Sequence, residues 1–429
     1  MYKLLTLFFT ACVITSALVP KAQAQEDSPL KRIMELNRSG KWEQAAQAAQ
    51  KFLDSGNVKT VERCEAFYSL AYAHIRLDRT AAAQSTLSAY DKECRKLPPD
   101  HWLIPNIAKL RQELTPQKAA QPLHEDGFWK IGSAANLGFN VSVLEQHRQL
   151  CERSGADACL VIRRGQIAQE WYSERYRVPM MAMSSTKSVT GILVGMLIDD
   201  GKIKSVDEPV CSFISEWCAG NKAKVMLRHL LTMTSGLPRM FEEGVGFISD
   251  KNPFVINLPL ATEPGKAWAY SNEGVQLLSP ILDKAAGEPI QDYARKRLFE
   301  PLGMRHTRLH LDSKKHAWTY ADMETTARDF ARIGVLMQNK GVWRSRRIVS
   351  EKWVGQSTEP SQNLNPGYGL LWWLPENLKG FAAKGYLDTN LYVIPEQEMI
   401  VVRMQSKPAA NNRLPYEPEA LLLFNKIIR

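Results

Sequence analysis

A serine and a lysine three residues apart stand at the start of an apolar run. The stretch Met183-Ser184-Ser185-Thr186-Lys187 leads into the run Gly191 to Ile198, whose apolar pattern predicts a helix. Side chains three apart on a helix are neighbours, so the hydroxyl and the amine would share one face. A serine hydroxyl attacks a carbonyl only when a neighbouring group takes its proton, and a partly desolvated lysine can do so. The spacing therefore indicates acyl transfer, although an isolated Ser-x-x-Lys also arises by chance.

A second candidate group, Tyr270-Ser271-Asn272, closes a stretch that its proline and glycine content marks as a loop, Glu263 to Asn272. A tyrosine hydroxyl can shuttle a proton, and an asparagine amide can orient a substrate carbonyl. Alone, the tripeptide would be an ordinary loop, so its meaning depends on whether it meets Ser184 and Lys187.

Strand and helix signals suggest how these groups are positioned. Residues 159–163 and 166–171 flank Arg164-Gly165, which predicts one hairpin, and residues 390–394 and 399–404 flank residues 395–398, which predict another. Residues 420–428 predict a closing helix. Strands at both ends with helices between them favour an α/β (α+β) domain with one antiparallel sheet and a helical insertion.

The chain divides into four segments by pattern. Residues 1–24 read as a secretory signal peptide, with an apolar run from Leu4 to Val19 and Ala22-Gln23-Ala24 as the cleavage site, so the mature chain would begin at Gln25. Residues 25–114 are rich in alanine, glutamine and leucine with helical periodicity and resemble a short tetratricopeptide-like array. Residues 115–127 form a linker. Residues 128–429 form the large domain.

The cysteine and histidine content limits the covalent links and the metal sites that the chain can form. Six cysteines remain after removal of the signal peptide, and their placement suggests the pairs Cys64–Cys94, Cys151–Cys159 and Cys211–Cys218, with free buried thiols as the alternative. The cysteines and the scattered histidines form no zinc pattern, so we expect no metal.

The net charge of +10 favours an anionic surface such as a bacterial envelope, but the basic residues are too dispersed to indicate nucleic-acid binding. No later stretch is apolar enough for a membrane span.

Five stretches of the large domain occur in the order of a known family: Ser184 to Lys187, Leu227 to Pro238, Tyr270 to Asn272, Phe299 to Met304 and Thr326 to Arg332. Together they resemble the serine β-lactamase and penicillin-binding family. The resemblance is to its class C-like branch, which includes esterases, D-aminopeptidases and 6-aminohexanoate-dimer-type amide hydrolases. It covers most of the domain and implies a β-lactamase-like fold.

The resemblance also implies roles. Ser184 would be the acylated nucleophile, Lys187 its base or proton relay, Tyr270 the shuttle to the leaving group and Asn272 a substrate ligand. The N–H groups of Ser184 and Tyr386 would form the oxyanion hole. Which of Lys187 and Tyr270 takes the first proton is left open.

The third family motif departs from the pattern. Where the family has a cationic or small residue, then serine or threonine, then glycine, this chain has Ala383-Lys384-Gly385, followed by Tyr386. The missing hydroxyl and the shifted cation matter because those groups grip a substrate carboxylate. Lys384 would supply a cation from the neighbouring position, or point away, because side chains alternate along a strand.

An aromatic stretch, residues 367–373, precedes this motif and either lines an acyl pocket or belongs to the sheet core. The substrate-binding candidates are therefore Asn272, Lys384, Gly385 and Tyr386. The overall prediction is an exported serine hydrolase, periplasmic or secreted, that cleaves an ester, small amide or peptide without a cofactor. The rival is a weakly catalytic or non-catalytic envelope protein, whose N-terminal helices bind a partner.

Overall fold

The computed structural model describes residues 28–56, 59–77, 79–98, 101–114, 127–173, 179–240, 244–406 and 415–428. The predicted signal peptide and all of the linker except Gly127 lie outside these residues. The chain forms two compact units, Met1–Lys96 and Leu97–Arg429. No helix in the described ranges has the length and apolar character needed to cross a membrane.

The first unit is helical. Its helices are α1 (Pro29–Arg38), α2 (Trp42–Asp54), α3 (Thr60–Arg76) and α4 (Thr80–Glu93). Alanines such as Ala45, Ala49 and Ala71 are fully buried, which lets neighbouring helices approach closely. The Cys64–Cys94 disulfide joins α3 to the residue after α4. This confirms a helical N-terminal region, while its likeness to tetratricopeptide repeats stays a prediction.

The second unit contains the remaining elements. A fifth helix, α5 (Leu103–Leu114), belongs to it, although the sequence pattern had grouped that helix with the N-terminal region. The other helices are α6 (Val141–Arg153), α7 (Thr186–Asp199), α8 (Leu227–Leu231), α9 (Lys251–Asn257), α10 (Asn272–Gln276), α11 (Leu278–Ala286), α12 (Ile290–Ala294), α13 (Glu300–Leu302), α14 (Ala327–Gln338), α15 (Glu351–Ser357) and α16 (Tyr416–Phe424).

The strands are β1 (Lys130–Ile131), β2 (Ala158–Arg163), β3 (Gln166–Tyr172), β4 (Met180–Met181), β5 (Glu324–Thr325), β6 (Val342–Trp343), β7 (Arg346–Arg347), β8 (Phe381–Gly385), β9 (Thr389–Ile394) and β10 (Met399–Met404). Six of them form one sheet in the order β1-β3-β2-β10-β9-β8, antiparallel except for the parallel pairing of β1 with β3. Both predicted hairpins are present, and the β2–β3 turn places Arg164 and Gly165 at positive φ, as a two-residue turn requires.

The sheet is buried on both faces, which explains why its central strands read as continuous apolar runs. Along β10, Ile400 and Val402 face the core that includes α7 and α14, whereas Met399 and Val401 face the core that includes α6 and α16. The period of two along a strand produces this division. The architecture confirms the predicted α/β domain with one largely antiparallel sheet and many helices.

The closing helix differs from its prediction. It spans Tyr416–Phe424 instead of residues 420–428. Pro415 precedes its first turn, while at the other end Ile427 O accepts the Asn140 N–H at 2.8 Å and Ile428 bridges Phe139. The final apolar residues thus lie beyond the helix, in a turn, a bend and an isolated bridge, an arrangement that apolar periodicity alone cannot distinguish from a helix. The predicted pairs Cys151–Cys159 and Cys211–Cys218 are both present as disulfides.

Candidate active site

Ser184 lies in a single 3-10 turn, Met183–Ser185, that leads directly into α7. Met183 has a φ of 49°, an unfavourable conformation for a residue with a side chain. The hydroxyls around Ser184 bind backbone oxygens: Ser185 Oγ donates to Thr389 O at 2.6 Å, and Ser188 Oγ donates to Leu371 O at 2.6 Å. These bonds fix the turn against β9 and against the loop before β8, so a partly exposed Ser184 sits on a rigid support.

Lys187 connects the two sequence-predicted groups. Its side chain is only 2% exposed, and its Nζ lies 3.2 Å from Ser184 Oγ and 2.8 Å from Asn272 Oδ1. The third acceptor is Tyr320 O at 2.7 Å. These three oxygens match the three donors of an ammonium group. The geometry allows a proton to pass between Ser184 and Lys187.

Tyr270 faces the same amine. The centroid of its ring lies 4.8 Å from Lys187 Nζ, and its hydroxyl makes no hydrogen bond to any residue in the described ranges. The family-like stretch from Leu227 to Pro238 positions this loop, since Met233 O accepts the Ala269 N–H at 2.9 Å and Pro238 O accepts the Ser271 hydroxyl at 3.1 Å. The structure thus brings together four of the predicted site residues: Ser184, Lys187, Tyr270 and Asn272.

Gly385 brings the end of β8 against the nucleophile turn. A Cβ at Gly385 would lie 2.8 Å from Ala182 O and 3.0 Å from Met183 Cβ. Only glycine permits this approach. The next residue is Tyr386, so its backbone lies one residue from this contact, beside the turn that carries Ser184. Its side chain is 59% exposed.

The loop after Tyr386 is conformationally costly. Leu387 and Asp388 have φ values of 63° and 54°, in the left-handed region that favours glycine. Such a conformation costs about 1–3 kcal/mol for each non-glycine residue, so the surroundings must stabilise it. Backbone strain of this kind concentrates at functional sites.

Lys384 turns away from this loop toward α16. Its Nζ donates to Glu417 Oε1 at 2.6 Å and lies 5.3 Å from the centre of the Trp373 rings. Ala383, at the position where the family carries a cationic or small residue, is fully buried in the core that contains α7. A substrate-binding role for Lys384 stays a prediction, and in this geometry it would require the ion pair with Glu417 to open.

Aromatic side chains line one side of Tyr270. Trp373 stacks on Tyr270 at a centroid distance of 5.9 Å, and Trp268 contacts Trp373 at 6.3 Å. Tyr368 and Trp372 are fully buried. Part of the aromatic stretch therefore belongs to the core, as one of the two predictions has it. Trp373 lies against the candidate proton shuttle, and the acyl pocket stays a prediction.

Two other features bear on chemistry. His229, in a family-like stretch, accepts the Met226 N–H at 3.1 Å through Nδ1 and so stabilises the start of α8.

In the described ranges Asp250, Asp312 and His316 form one cluster with possible metal ligands, which sequence spacing did not indicate. The His316 ring nitrogen Nδ1 lies 3.3 Å from Asp250 and 3.2 Å from Asp312, as expected for an ordinary histidine–carboxylate pairing.

Sequence reasoning missed Tyr320, whose carbonyl oxygen binds Lys187 and whose ring centroid lies 5.6 Å from Nζ. A backbone acceptor carries no side-chain signal, so no motif could have indicated it. Burial and the nearby acidic groups raise the pKa of Tyr320 well above its usual value, so its hydroxyl stays protonated.

Comparison with known proteins identifies the family. The model of the family described as Beta-lactamase matches residues 143–426. The chain belongs to the Beta-lactamase family. This confirms the resemblance and the assignment of the chain to a group of serine hydrolases.

Individual relatives are distant. A 6-aminohexanoate-dimer hydrolase of Paenarthrobacter ureafaciens is 23% identical over 379 residues, covering 79% of this chain and 92% of that protein. Esterase EstB of Burkholderia gladioli is 28% identical over 143 residues, covering 28% of this chain and 36% of that protein. The solved structure of a putative 6-aminohexanoate-dimer hydrolase from Bacillus anthracis has a TM-score of 0.57 at 21% identity, covering 65% of this chain and 80% of that one. This structural similarity shows the fold alone.

Proposed function

We propose that this protein is an exported serine hydrolase that works through an acyl-enzyme on Ser184. The observation that carries the proposal is the position of Lys187 Nζ, buried and within hydrogen-bond distance of both Ser184 Oγ and Asn272 Oδ1. A nucleophile in contact with its base, and a base oriented by a third group, is the arrangement that activates a hydroxyl.

The proposed reaction has two halves. Ser184 Oγ attacks the substrate carbonyl carbon while its proton passes to the Lys187–Tyr270 pair, and the N–H groups of Ser184 and Tyr386 bind the resulting oxyanion. The bond to the leaving group then breaks, and Tyr270 delivers a proton to that group. A water molecule then attacks the acyl carbon and gives one proton to the Lys187–Tyr270 pair. The bond between the acyl carbon and Ser184 Oγ breaks, the pair returns the proton to Oγ, and the product leaves as a carboxylic acid.

The third motif favours a substrate without a carboxylate next to the scissile bond. Ala383 is fully buried, and Lys384 is bound to Glu417, so neither supplies a free cation beside Gly385. We therefore propose a neutral ester or small amide as substrate, with short peptides next. The names of two relatives, a 6-aminohexanoate-dimer hydrolase and an esterase, support a proposal of this kind.

Export and an envelope partner are further parts of the proposal. The sequence pattern of residues 1–24 and three disulfides support an oxidising compartment, either the periplasm or the medium. An envelope partner that binds the N-terminal helical unit is proposed only from its helical character.

The test is the mass of the intact protein after brief exposure to a short-chain activated ester and, separately, to a penicillin. We expect acylation or turnover with the ester, and Ser184→Ala should abolish it. Retention of the parent's hydrolytic activity by Ser184→Ala would refute the proposal. A penicillin adduct on Ser184 would instead assign the protein to the penicillin-recognising members.

The altered third motif supports a second candidate, a binding protein with little or no catalysis. A serine-reactive phosphonate separates the two, because it labels only an activated hydroxyl. Failure of the folded protein to react at Ser184 would favour the binding protein.

A further inference from the structure

A buried arginine holds the loop that carries the proposed oxyanion donor. Arg403, on β10, is fully buried, and its Nη1 donates to Leu387 O at 2.6 Å and to Asp388 O at 3.0 Å. Its Nη2 donates to Ser154 O at 2.9 Å and to Gln405 Oε1 at 2.8 Å. The two carbonyls bound by Nη1 belong to the two residues with left-handed backbone.

Arg403 is an unusual buried charge. In the part of the chain that the structure describes, no carboxylate lies within ion-pair distance of its guanidinium, which lies instead over the Tyr416 ring at 4.9 Å. Burial lowers the pKa of Arg403. A buried guanidinium loses its hydration and must recover it through well-formed hydrogen bonds, here to neutral oxygens. The geometry of those bonds therefore depends on the loop keeping its conformation, and the loop depends equally on them.

Both ends of the same loop are fixed near the nucleophile. Before it, Asn390 Oδ1 accepts the Gly385 N–H at 3.1 Å; after it, Thr389 O accepts the Ser185 hydroxyl at 2.6 Å. Arg403 holds the two carbonyls in the middle of the loop, where the Asp388 carboxylate also accepts the Tyr416 N–H at 3.3 Å. The Tyr386 N–H lies in the peptide unit that joins the fixed Gly385 to Tyr386, and the next residue is the strained Leu387, so both neighbours limit its direction.

The geometry points to Arg403 as a positioning residue of the acyl-transfer site. By holding the Leu387 and Asp388 carbonyls, it keeps the Tyr386 N–H directed at the oxyanion that forms on Ser184. This inference rests on the serine-hydrolase function proposed above. Arg403 does not touch the substrate and acts only through the loop.

The experiment is a mutant cycle read by the rate at which a fluorophosphonate labels Ser184, with the protein's other residues unchanged. Arg403→Lys keeps the charge but lacks the planar fork that binds two carbonyls. We expect its maximal labelling rate to fall by about tenfold or more, because loss of one oxyanion donor costs about 10²–10³ in rate. The phosphonate concentration that gives half the maximal rate should change little.

The second arm of the cycle uses Leu387→Gly. Glycine adopts the left-handed conformation without the steric cost, so the loop should depend less on Arg403. Arg403→Lys should therefore slow labelling less in the Leu387→Gly background than in the parent. If Arg403→Lys does not fold, Ser154→Ala, which removes a hydroxyl 3.2 Å from Nη2, takes its place in the cycle.

Arg332→Lys is a matched control. Arg332 is also buried, and its Nη1 also donates to two carbonyls of a turn, Leu302 O at 2.7 Å and Gly303 O at 2.6 Å. The Arg332→Lys substitution should lower the thermal stability of the protein without changing the labelling rate of Ser184 in the folded protein. Hydrogen exchange supplies a second readout, in which Arg403→Lys should speed exchange in residues 385–389.

Each outcome decides one question. Slower labelling with Arg403→Lys, relieved by Leu387→Gly and absent from Arg332→Lys, supports the positioning role. An unchanged labelling rate in folded Arg403→Lys, or an equal loss with and without Leu387→Gly, overturns the role but leaves the hydrolase proposal intact. Equal reaction of the parent and Ser184→Ala overturns the hydrolase proposal and the positioning role with it.

Discussion

At the residue scale, the candidate site depends on backbone approach as much as on reactive side chains. Ser184, Lys187, Tyr270 and Asn272 can be named from the sequence because their types and spacing have a chemical meaning. The close approach of Gly385 to Ala182 has no such chemical signature in the residues themselves, and only the family resemblance, through the oxyanion hole that it implies for Ser184 and Tyr386, indicates that the end of β8 lies beside the nucleophile turn. The same limit applies to the Tyr320 carbonyl and to the carbonyls that Arg403 binds.

Gly385→Ala tests this contact directly. Its Cβ would lie 2.8 Å from Ala182 O and 2.9 Å from Thr389 O, and both obstacles are backbone atoms that cannot rotate away. The strand must therefore shift and carry the Tyr386 N–H with it. We expect the phosphonate labelling rate of Ser184 to fall by about tenfold or more, as for other losses of oxyanion geometry.

Gly380→Ala is the control for that substitution. Gly380 lies just before the other end of β8, and its Cβ would meet Val393 O at 2.1 Å. Both variants should lose stability because both create a backbone clash. Equal labelling rates for the two folded variants would show that the Gly385 contact has no specific role in the site.

At the element scale, the pattern of apolar residues predicts the two hairpins well and the chain end poorly. Both hairpins combine a turn signal with strands of a sheet, three of them buried on both faces and β3 partly buried, so local and tertiary preferences agree. At the chain end the two preferences disagree, because Ile427 and Ile428 continue an apolar pattern but lie beyond the helix and bond to residues 139 and 140. Apolar periodicity also gives no indication of a buried polar side chain on α6, the helix that packs against α16.

This group is His147, on α6. Its Nε2 lies 2.7 Å from Tyr416 Oη on α16, and its Nδ1 lies 3.1 Å from Gln169 Oε1 on β3. Burial lowers the pKa of His147 to about 4, with a further lowering by the positive charge of Arg403 on β10. The interface of α6 with α16 and β3 therefore contains a histidine that stays neutral in the folded protein at neutral pH.

The consequence is a loss of stability in mild acid. An unfolded histidine has a pKa near 6.5, so between about pH 6.5 and 4 the unfolded chain binds a proton that the folded chain does not. The free energy of unfolding should therefore fall as the pH falls through this window, by roughly 3 kcal/mol in all. Urea unfolding of the parent and of His147→Gln at pH values from 7.5 to 4 measures the contribution, because the carboxylates common to both chains cancel.

A difference between the two chains that does not change with pH would contradict a neutral buried His147. The expected result is that the stability of the parent relative to His147→Gln decreases toward pH 4.

At the scale of the whole molecule, the boundary between the two units is the point where sequence and structure differ. Helical periodicity places α5 with the N-terminal helices and a boundary near residue 114, because α5 resembles its predecessors in composition. The structure places the boundary between Lys96 and Leu97. Periodicity reveals that a segment is helical but not to which unit it belongs.

Two truncated chains compare these boundaries. Each unit has its own buried core, so a chain that begins at Leu97 should fold and label at Ser184 within about twofold of the mature protein.

A chain that begins at Thr115 lacks α5, whose Leu103, Ile107 and Leu110 are buried. Because α5 belongs to this unit, we expect its removal to lower the thermal stability of the shorter chain. Thermal unfolding and phosphonate labelling of both chains provide the measurements. Equal melting temperatures for the two would instead place the boundary near residue 114, and a folded Leu97 chain that fails to label would show that the hydrolase site requires the N-terminal helices.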